Sequence, residues 1–414
     1  MATDQALSPT SFSERIASLD VFRGLTMLVM LFANDINDEI FGNIKDSPWW
    51  LHHMPPKIDG MTMNDVIFPT FLFIVGLSIP IALERRIARG DSLARLCGHI
   101  VLRSLEMIFI GVCMVNMYAV NAEATGMSGA VWRLLLLGGI ILLWNRYPSF
   151  EGVKAWPFIA LRLAAAGLLI YLLVIFRGDF NGEVVWLRPQ WWGIIGLIGW
   201  AYLVSALIWL ATRDLGVAIM GAMGLLIALR IGDHYGFFYW WKDAFKGYLL
   251  GPGSLGGLGS ATVGGLAIAT LFRPNSPTRT PQSRIIWILV FAAGFAAAAF
   301  FLRPLMGIHK NSATPSWVLY CLAIACTIYA FLYWLVDVKK ITRWTAWLGM
   351  AGCNTLLMYM LPFIMYSALS ALKIDFLQTH FSDGWLGVAR SAVLALCLVG
   401  LTGLLTRCRI RLRL

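Results

Sequence analysis

Residues 64–83, "NDVIFPTFLFIVGLSIPIAL", form a run of twenty residues in which only Asp65 is charged. An α-helix rises about 1.5 Å per residue, so roughly 20 apolar residues cross the hydrocarbon core of a bilayer, which is about 30 Å thick. No charge interrupts the run after its second residue. The stretch therefore predicts a helix that spans a membrane.

Eleven further apolar runs of similar length occur along the 414 residues. The chain is 59% hydrophobic and 13% charged, with a mean hydropathy of +0.72. A soluble protein of this composition would expose apolar surface to water and aggregate. We therefore predict an all-α polytopic membrane protein with about twelve transmembrane helices, eleven being the alternative count. The runs lie near residues 18–36, 64–83, 99–119, 130–146, 156–176, 190–211, 215–231, 254–272, 284–303, 314–336, 345–370 and 385–406.

The distribution of lysine and arginine predicts the orientation of these helices. The net charge is +11, and the positive-inside rule explains basic residues at helix ends better than nucleic-acid binding does. With the N-terminus inside, the cytoplasmic segments hold 18 lysines and arginines and the outer loops hold 9. We predict a cytoplasmic segment at residues 1–17, a membrane domain at residues 18–406 and a basic cytoplasmic tail at residues 407–414. The polar start shows no cleavage pattern, so we expect the first helix to be retained.

Titratable and amide side chains gather on the predicted outer face of the membrane. They come from the end of the first helix, the loop after it, the start of the second helix and the loop after the ninth. The members are Asn34, Asp35, His52, His53, Asp65, His309, Lys310 and Asn311. Polar groups from segments distant in the chain at one depth indicate a candidate site.

Each of these features also has a structural interpretation. Asp65 follows Thr62 in a T-x-x-D spacing, which favours a helix N-terminus without any catalytic role. Trp49 and Trp50 are typical of anchors at a membrane interface. The glycine-rich stretch "GPGSLGGLGSATVGG", residues 251–265, favours close helix packing and lacks the GK[ST] ending of a phosphate-binding loop.

Charged and amide groups inside the helices are costly to bury unless they are paired. Asp20 and Arg23 lie one turn apart near the predicted inner end of the first helix, and Arg103 lies near the inner end of the third. Arginines there either pair within the protein or bind phosphates. Asn354 lies roughly ten residues into the eleventh run, or about 15 Å deep, where an amide bridges helices or contacts substrate.

Several stretches together resemble a known family. "SLDVFRGLTMLVMLFAN", "DGMTMNDVIFPTFLFIVGLSI", "HKNSATPSW" and "GCNTLLMY" are similar to the heparan-α-glucosaminide N-acetyltransferase family of transmembrane acetyltransferases, and to its bacterial branch above all. The resemblance spans about residues 18–370, with the most specific motifs in the first two helices. It implies transfer of an acetyl group from cytosolic acetyl-CoA to the amino group of a glucosamine on the far side of the membrane.

The resemblance also implies roles for particular residues. The essential loop histidine corresponds to His53, with His52 as the alternative because "MPPKI" lengthens this loop. Asp65 and Asn34 correspond to the family's aspartate and asparagine. Pro362 or its neighbours stand where the animal enzymes carry a further histidine, which leaves the acceptor contacts open.

The chemistry is consistent with these residue types. A neutral amine must attack the thioester, and a histidine of pKa near 6.5 can take its proton. Asp65 would fix the tautomer of that histidine, and Asn34 or Asn311 would donate to the thioester oxygen. A covalent acetyl-histidine is the alternative route. Donor binding is expected from Arg23 and Arg103, and from a slot beside Gly257 and Ser260. Acceptor binding is expected from Lys310, Asn311 and Asn354.

The alternative function is a secondary transporter of sugars or amino-sugar derivatives, which intramembrane charges and a glycine-interrupted helix would suit. Against it, the two halves show no self-similarity and the polar cluster lies at one edge of the membrane. We expect acetyl-CoA and an amino sugar as ligands, the lipid bilayer as surroundings, and neither a metal nor nucleic acid. A homodimer is left open. The expected location is the bacterial inner membrane.

Overall fold

The computed structural model describes residues 16–37, 44–56, 58–148, 156–213, 215–273, 276, 278 and 280–412. The predicted N-terminal segment lies outside the described residues up to residue 15, as do the last two residues of the predicted tail. Sixteen α-helices are defined in the described parts of the chain. They are α1 (Ala17–Asn37), α2 (Met63–Ile87), α3 (Leu93–Asn116), α4 (Ala122–Thr125), α5 (Gly129–Trp144), α6 (Trp156–Ile175), α7 (Gly193–Thr212), α8 (Gly216–His234), α9 (Tyr239–Phe245), α10 (Pro252–Ala269), α11 (Pro281–Met306), α12 (Pro315–Leu332), α13 (Ala346–Gly352), α14 (Thr355–Ala371), α15 (Phe376–His380) and α16 (Gly384–Arg407).

The all-α membrane architecture predicted from the sequence is confirmed. Among the described residues, 10 helices are long and apolar enough to cross a membrane, and α5 and α14 are shorter apolar helices. These twelve elements correspond to the twelve predicted runs. The regular β-structure of the described residues is one short antiparallel hairpin, β1 (Gly178–Phe180) and β2 (Glu183–Val185), in which Asp179 pairs with Val184.

Helix α2 shows how the sequence sets local structure. It begins at a capping box in which Thr62 and Asp65 satisfy each other's backbone amides. Pro69 lies one turn further and cannot donate to the carbonyl of Asp65. The thiol of Cys321, on α12, donates to that carbonyl instead, with Sγ 3.9 Å from the oxygen. A neighbouring helix thus satisfies the group that proline leaves open, as in other membrane helices.

The chain forms two compact units. One comprises residues 1–22, 54–106 and 197–342, and the other comprises residues 23–53, 107–196 and 343–414. In the first unit α10 is almost entirely buried and packs on α2 and α8, while α11 packs on α12. In the second unit α5 packs on α6 and α14, and α16 packs on α13 and α14.

Candidate active site

The start of α2 holds a carboxylate with several hydrogen bonds in the first unit. Asp65 is fully buried. Its Oδ2 accepts the backbone amide of Thr62 at 3.0 Å, the Thr62 hydroxyl at 3.2 Å and the backbone amide of Met54 at 3.1 Å. The capping box predicted from the T-x-x-D spacing is therefore present. The same carboxylate also fixes the backbone amide that directly follows His53 in the chain.

Lys310 brings a second segment of the first unit to this carboxylate. Its Nζ lies 3.7 Å from Asp65 Oδ1, and its side chain is 28% exposed while that of Asp65 is 1% exposed. Burial lowers the pKa of Lys310, and the nearby carboxylate opposes that shift. Two residues predicted from distant motifs thus lie together. The structure gives Lys310 an internal partner, whereas the sequence suggested a contact with the acceptor.

Asp59 joins the same two loops at a second point. Its Oδ1 accepts the backbone amide of Ile308 at 2.7 Å, and its Oδ2 accepts Nε of Arg303 at 3.0 Å. The amide of Gly60 in turn donates to the carbonyl of Ile308 at 3.2 Å. Because the amide of Ile308 and the charge of Arg303 favour the ionised form, they lower the pKa of Asp59. The longer loop that carries "MPPKI" is therefore fixed at its end.

In the second unit, His52 forms a chain of three hydrogen-bonded side chains. Its Nε2 lies 2.7 Å from Ser47 Oγ, and its Nδ1 lies 3.1 Å from Asn37 Oδ1. The Asn37 amide nitrogen donates to the carbonyls of Ala33 at 2.8 Å and Leu51 at 2.9 Å. An amide turned the other way would face those carbonyls with its oxygen, so Oδ1 must face the imidazole. We call Ser47, His52 and Asn37 the loop triad.

The loop that carries this triad is held at both ends. Ile44 and Leu51 are buried in a small apolar cluster with Ile36 and Val388. The backbone of Lys45 adds two hydrogen bonds, since its amide donates to Ser382 at 2.9 Å and its carbonyl accepts from Gly384 at 2.8 Å. Ser47 therefore lies between two fixed points of the loop, and His52 directly follows the second.

Asp35 forms a second buried polar group in the same unit. Tyr366 donates to its Oδ1 at 2.5 Å, and Arg390 pairs with its Oδ2 at 3.0 Å. The hydroxyl of Ser391 also donates to Oδ2. Both charged side chains are almost fully buried. The two hydroxyl groups and the guanidinium fill hydrogen-bonding positions of the Asp35 carboxylate, which offsets part of the cost of burying it. Asp35 was predicted to belong to the polar layer, but its partners Tyr366, Arg390 and Ser391 were not predicted.

The predicted donor-binding arginines are half-buried and hold internal contacts. Arg23 donates through Nη1 to the carbonyl of Gly352 at 3.5 Å in the second unit. In the first unit, the guanidinium of Arg103 lies over the ring of Tyr202, 4.9 Å from its centroid. Their role in binding phosphates stays a prediction.

The glycine run of α10 serves close packing. A side chain at Gly257 would meet the backbone and Cβ of Ala313, and one at Gly265 would meet the backbone of Phe73. The hydroxyl of Ser260 donates to the carbonyl of Gly257 at 2.8 Å, within the helix. The expected slot for CoA is therefore filled by protein, because the glycines let neighbouring backbones approach. Gly257 and Ser260 are not part of the site that we propose.

The position predicted for Asn354 inside one continuous helix was wrong. The eleventh run breaks into α13 and α14, and Asn354 precedes the first residue of α14. Its amide nitrogen donates to Thr406 at 3.0 Å and to the carbonyl of Ile410 at 2.8 Å, and its oxygen accepts from Leu412. These contacts fix the end of α16 and the segment after it. The bridging alternative describes Asn354 better than a contact with substrate.

The remaining predicted residues lie on or near loops. Asn34 is half-buried in the last turn of α1, while His53 and Asn311 are exposed. Ser47 and Asn37 were missed by sequence analysis. The signal that could have found them is the polar spacing around His52, since Ser47 precedes it by five residues and Asn37 closes α1. No group of three His, Cys, Asp or Glu suited to a metal ion occurs among the described residues.

The fold defines a polytopic membrane protein, in which Asp65 and the hydrogen-bonded His52 lie near the ends of helices. A family profile matches residues 15–240, and the chain belongs to that family, DUF5009, which is described as a domain of unknown function.

Two curated relatives carry an enzyme's name. The heparan-alpha-glucosaminide N-acetyltransferase of Mus musculus is 38% identical over 106 residues, which are 26% of this chain and 15% of the mouse protein. The Homo sapiens protein of the same name is 37% identical over 102 residues, which are 25% of this chain and 14% of the human protein. The chain thus spans about a seventh of the length of the curated relatives it matches. The resemblance drawn from the motifs is confirmed over this part.

Proposed function

We propose that this protein is a membrane-embedded acetyltransferase that moves an acetyl group from acetyl-CoA to the amino group of an amino sugar of the glucosamine type. The observation that carries the proposal is the similarity of a quarter of the chain to proteins named heparan-alpha-glucosaminide N-acetyltransferase. The adjacent histidines, with an ordered hydrogen-bond chain on one of them, support a role in proton transfer. We place the protein in the bacterial inner membrane.

His53 is the proposed general base for the acceptor. An amino sugar is protonated near neutral pH and its ammonium form cannot attack a thioester. A neutral imidazole can accept that proton as a general base. His53 is exposed in its loop, so an acceptor that enters from solvent can reach it.

In this proposal, Asp65 and Lys310 hold the loop of the general base in place. The carboxylate holds the backbone amide of Met54, and the pair with Lys310 joins the start of α2 to the loop before α12. A general base must lie within hydrogen-bond reach of the proton it removes. A loop that holds His53 in place therefore increases the rate of proton removal. The further proposal that Asp65 sets the tautomer of His53 rests on the family resemblance.

The donor is proposed to enter from the cytoplasmic side, where acetyl-CoA is made. Arg23 and Arg103 are the candidates for its phosphates, because guanidinium groups bind phosphate oxygens in a bidentate manner. Arg23→Ala should raise the KM for acetyl-CoA more than the KM for the amine. Equal effects on both substrates would instead assign Arg23 a structural role within the protein.

The proposal is tested with purified protein in detergent, acetyl-CoA and glucosamine, by following release of the CoA thiol. We expect release that depends on the amine and is lost in His53→Ala. His380→Ala is the matched control, since His380 is also an exposed histidine and lies at the end of the short helix α15. Sugar uptake into proteoliposomes without thiol release would instead favour the transporter.

A further inference from the structure

We propose that Ser47 carries the acetyl group as an ester between donor and acceptor, with His52 as its base and Asn37 as the residue that orients the imidazole. This inference rests on the proposed acetyl transfer and adds a covalent intermediate to it. The juxtaposition that carries it is the loop triad, in which a hydroxyl, an imidazole and an amide oxygen follow one another at 2.7 and 3.1 Å. A nucleophile bound to a base, and a base bound to an orienting group, is the arrangement used for acyl transfer on many unrelated folds.

The triad fixes the tautomer that the reaction needs. Asn37 presents its oxygen to Nδ1 of His52, because its nitrogen already donates to two carbonyls. A hydrogen bond between these atoms requires the proton on Nδ1. In the neutral ring the lone pair then lies on Nε2, the atom that faces Ser47 Oγ at 2.7 Å. His52 is therefore set to accept the serine proton.

The serine hydroxyl has two acceptors within reach, and the geometry favours the imidazole. Ser47 Oγ lies 3.3 Å from the carbonyl of Ile44 and 2.7 Å from Nε2 of His52. The shorter distance is typical of a strong hydrogen bond from a hydroxyl, whereas the longer one is beyond the usual range. The proton of Ser47 thus points along the path to its base.

The loop is built to hold this geometry and to leave it accessible. Ile44 and Leu51 are buried on either side of Ser47, and Asp46 adopts a left-handed conformation with φ of 52° directly before Ser47. Aspartate tolerates that region better than most residues. Ser47 and His52 both keep part of their surface exposed. A reacting acyl group can therefore approach a serine whose rotamer is already set.

The proposed step balances without an oxidant or reductant. Ser47 Oγ forms a bond to the thioester carbonyl carbon while its proton moves to His52 Nε2. The carbon–sulfur bond then breaks, and His52 returns the proton to the departing thiolate, so that CoA leaves as a thiol. In the second half, the nitrogen of the neutral amine forms a bond to the ester carbonyl carbon, the carbon–oxygen bond breaks, and a proton from the attacking nitrogen passes to Ser47 Oγ.

The two neighbouring histidines then have separate tasks. His52 is bound within the triad and serves the first half-reaction, in which serine is the nucleophile. His53 is exposed and serves the second, in which the amine loses its proton. A covalent intermediate also lets the donor leave before the acceptor reacts, so one loop can serve two substrates in turn.

The decisive experiment incubates the purified full-length protein with acetyl-CoA alone, quenches it in acid and locates any acetyl group by peptide mass spectrometry. We expect one acetyl group on the peptide that contains Ser47, and its loss when glucosamine is added. Ser47→Ala should abolish that label and reduce transfer to glucosamine at least a hundredfold. Ser47→Cys keeps a nucleophile at this position and should retain measurable labelling and transfer.

The matched control is Ser382→Ala. Ser382 is half-buried and contacts the same loop through its backbone carbonyl, which the substitution preserves. This variant should label and turn over like the unsubstituted protein. Thermal unfolding of each variant shows whether it is folded.

The outcomes separate this inference from the proposed function. Acetyl transfer that persists at an unchanged rate in folded Ser47→Ala overturns the acyl-serine while leaving the acetyltransferase intact. An acetyl group on His53 in place of Ser47 overturns it equally. A third outcome also contradicts the acyl-serine. In it, Ser47→Ala loses transfer, but the unsubstituted protein forms no acetyl-enzyme and gives intersecting initial-rate plots. Absence of acetyl transfer in the unsubstituted protein contradicts the proposed function itself.

Discussion

Replacing Lys310 by methionine removes the ammonium partner of a carboxylate that has 1% of its surface exposed. At 3.7 Å, two unit charges attract by about 4 to 5 kcal/mol at an effective dielectric constant near 20. Lys310 retains 28% of its exposure, so desolvation and solvent screening offset part of this attraction. We expect a net coupling between Asp65 and Lys310 of about 2 kcal/mol.

A double-mutant cycle measures this coupling. The variants are Lys310→Met, Asp65→Asn and the two combined, with the free energy of unfolding followed by tryptophan fluorescence in detergent. The matched control is the pair of Asp59 and Arg303, which lie 3.0 Å apart but are 44% and 46% exposed. A pair so exposed should couple by less than about 1 kcal/mol despite the shorter distance. Additive effects at Asp65 and Lys310, or a larger coupling in the exposed pair, would refute the role assigned to burial.

Three further predictions follow from the described contacts. Asp35→Asn should lower the free energy of unfolding by about 3 to 5 kcal/mol, because it leaves the buried Arg390 without a counter-ion; unfolding curves in denaturant test this, and a change below about 1 kcal/mol would contradict it. Gly265→Leu should prevent the packing of α10 on α2, since its side chain would meet the Phe73 backbone; a monodisperse gel-filtration peak with an unchanged melting temperature would show that the helices adjust. The pKa of Asp59 is lowered in the folded protein. The contribution of Asp59 to stability should therefore be present at pH values above the usual pKa of a carboxyl group and be lost as the pH falls through the lowered pKa. An acid unfolding profile that is unaltered in Asp59→Asn would rule this out.

The helices were predictable because a membrane imposes one requirement on each of them. Apolar runs of spanning length, such as residues 64–83, leave few alternatives once the backbone must satisfy its own hydrogen bonds. The cap of α2 was also visible, since Thr62 and Asp65 are local in sequence. The break before Asn354 was not, because its partners Thr406 and Ile410 lie more than fifty residues further along the chain.

The candidate site was predictable only in part for the same reason. His52 was recognised as a candidate catalytic residue, but its partners Asn37 and Ser47 lie 15 and 5 residues away in the chain, and the sequence does not show which side chains the fold brings to it. Arg390 pairs with Asp35 across 355 residues, and no local pattern connects them. The glycines of α10 allow two interpretations from the sequence, which are close helix packing and a passage for a ligand. Only the position of Ala313 beside Gly257 decides between these.

The most direct test of the acetyltransferase proposal uses acetyl-CoA labelled with carbon-13 in its acetyl group. Purified protein in nanodiscs is mixed with labelled donor and glucosamine, and the sugar is analysed by mass spectrometry and NMR. The proposal predicts N-acetylglucosamine that carries the label in its amide, formed by the unsubstituted protein and His380→Ala and lost in His53→Ala. Folded protein that yields no labelled amide with glucosamine or related amino sugars, or equal yield from His53→Ala, would contradict it.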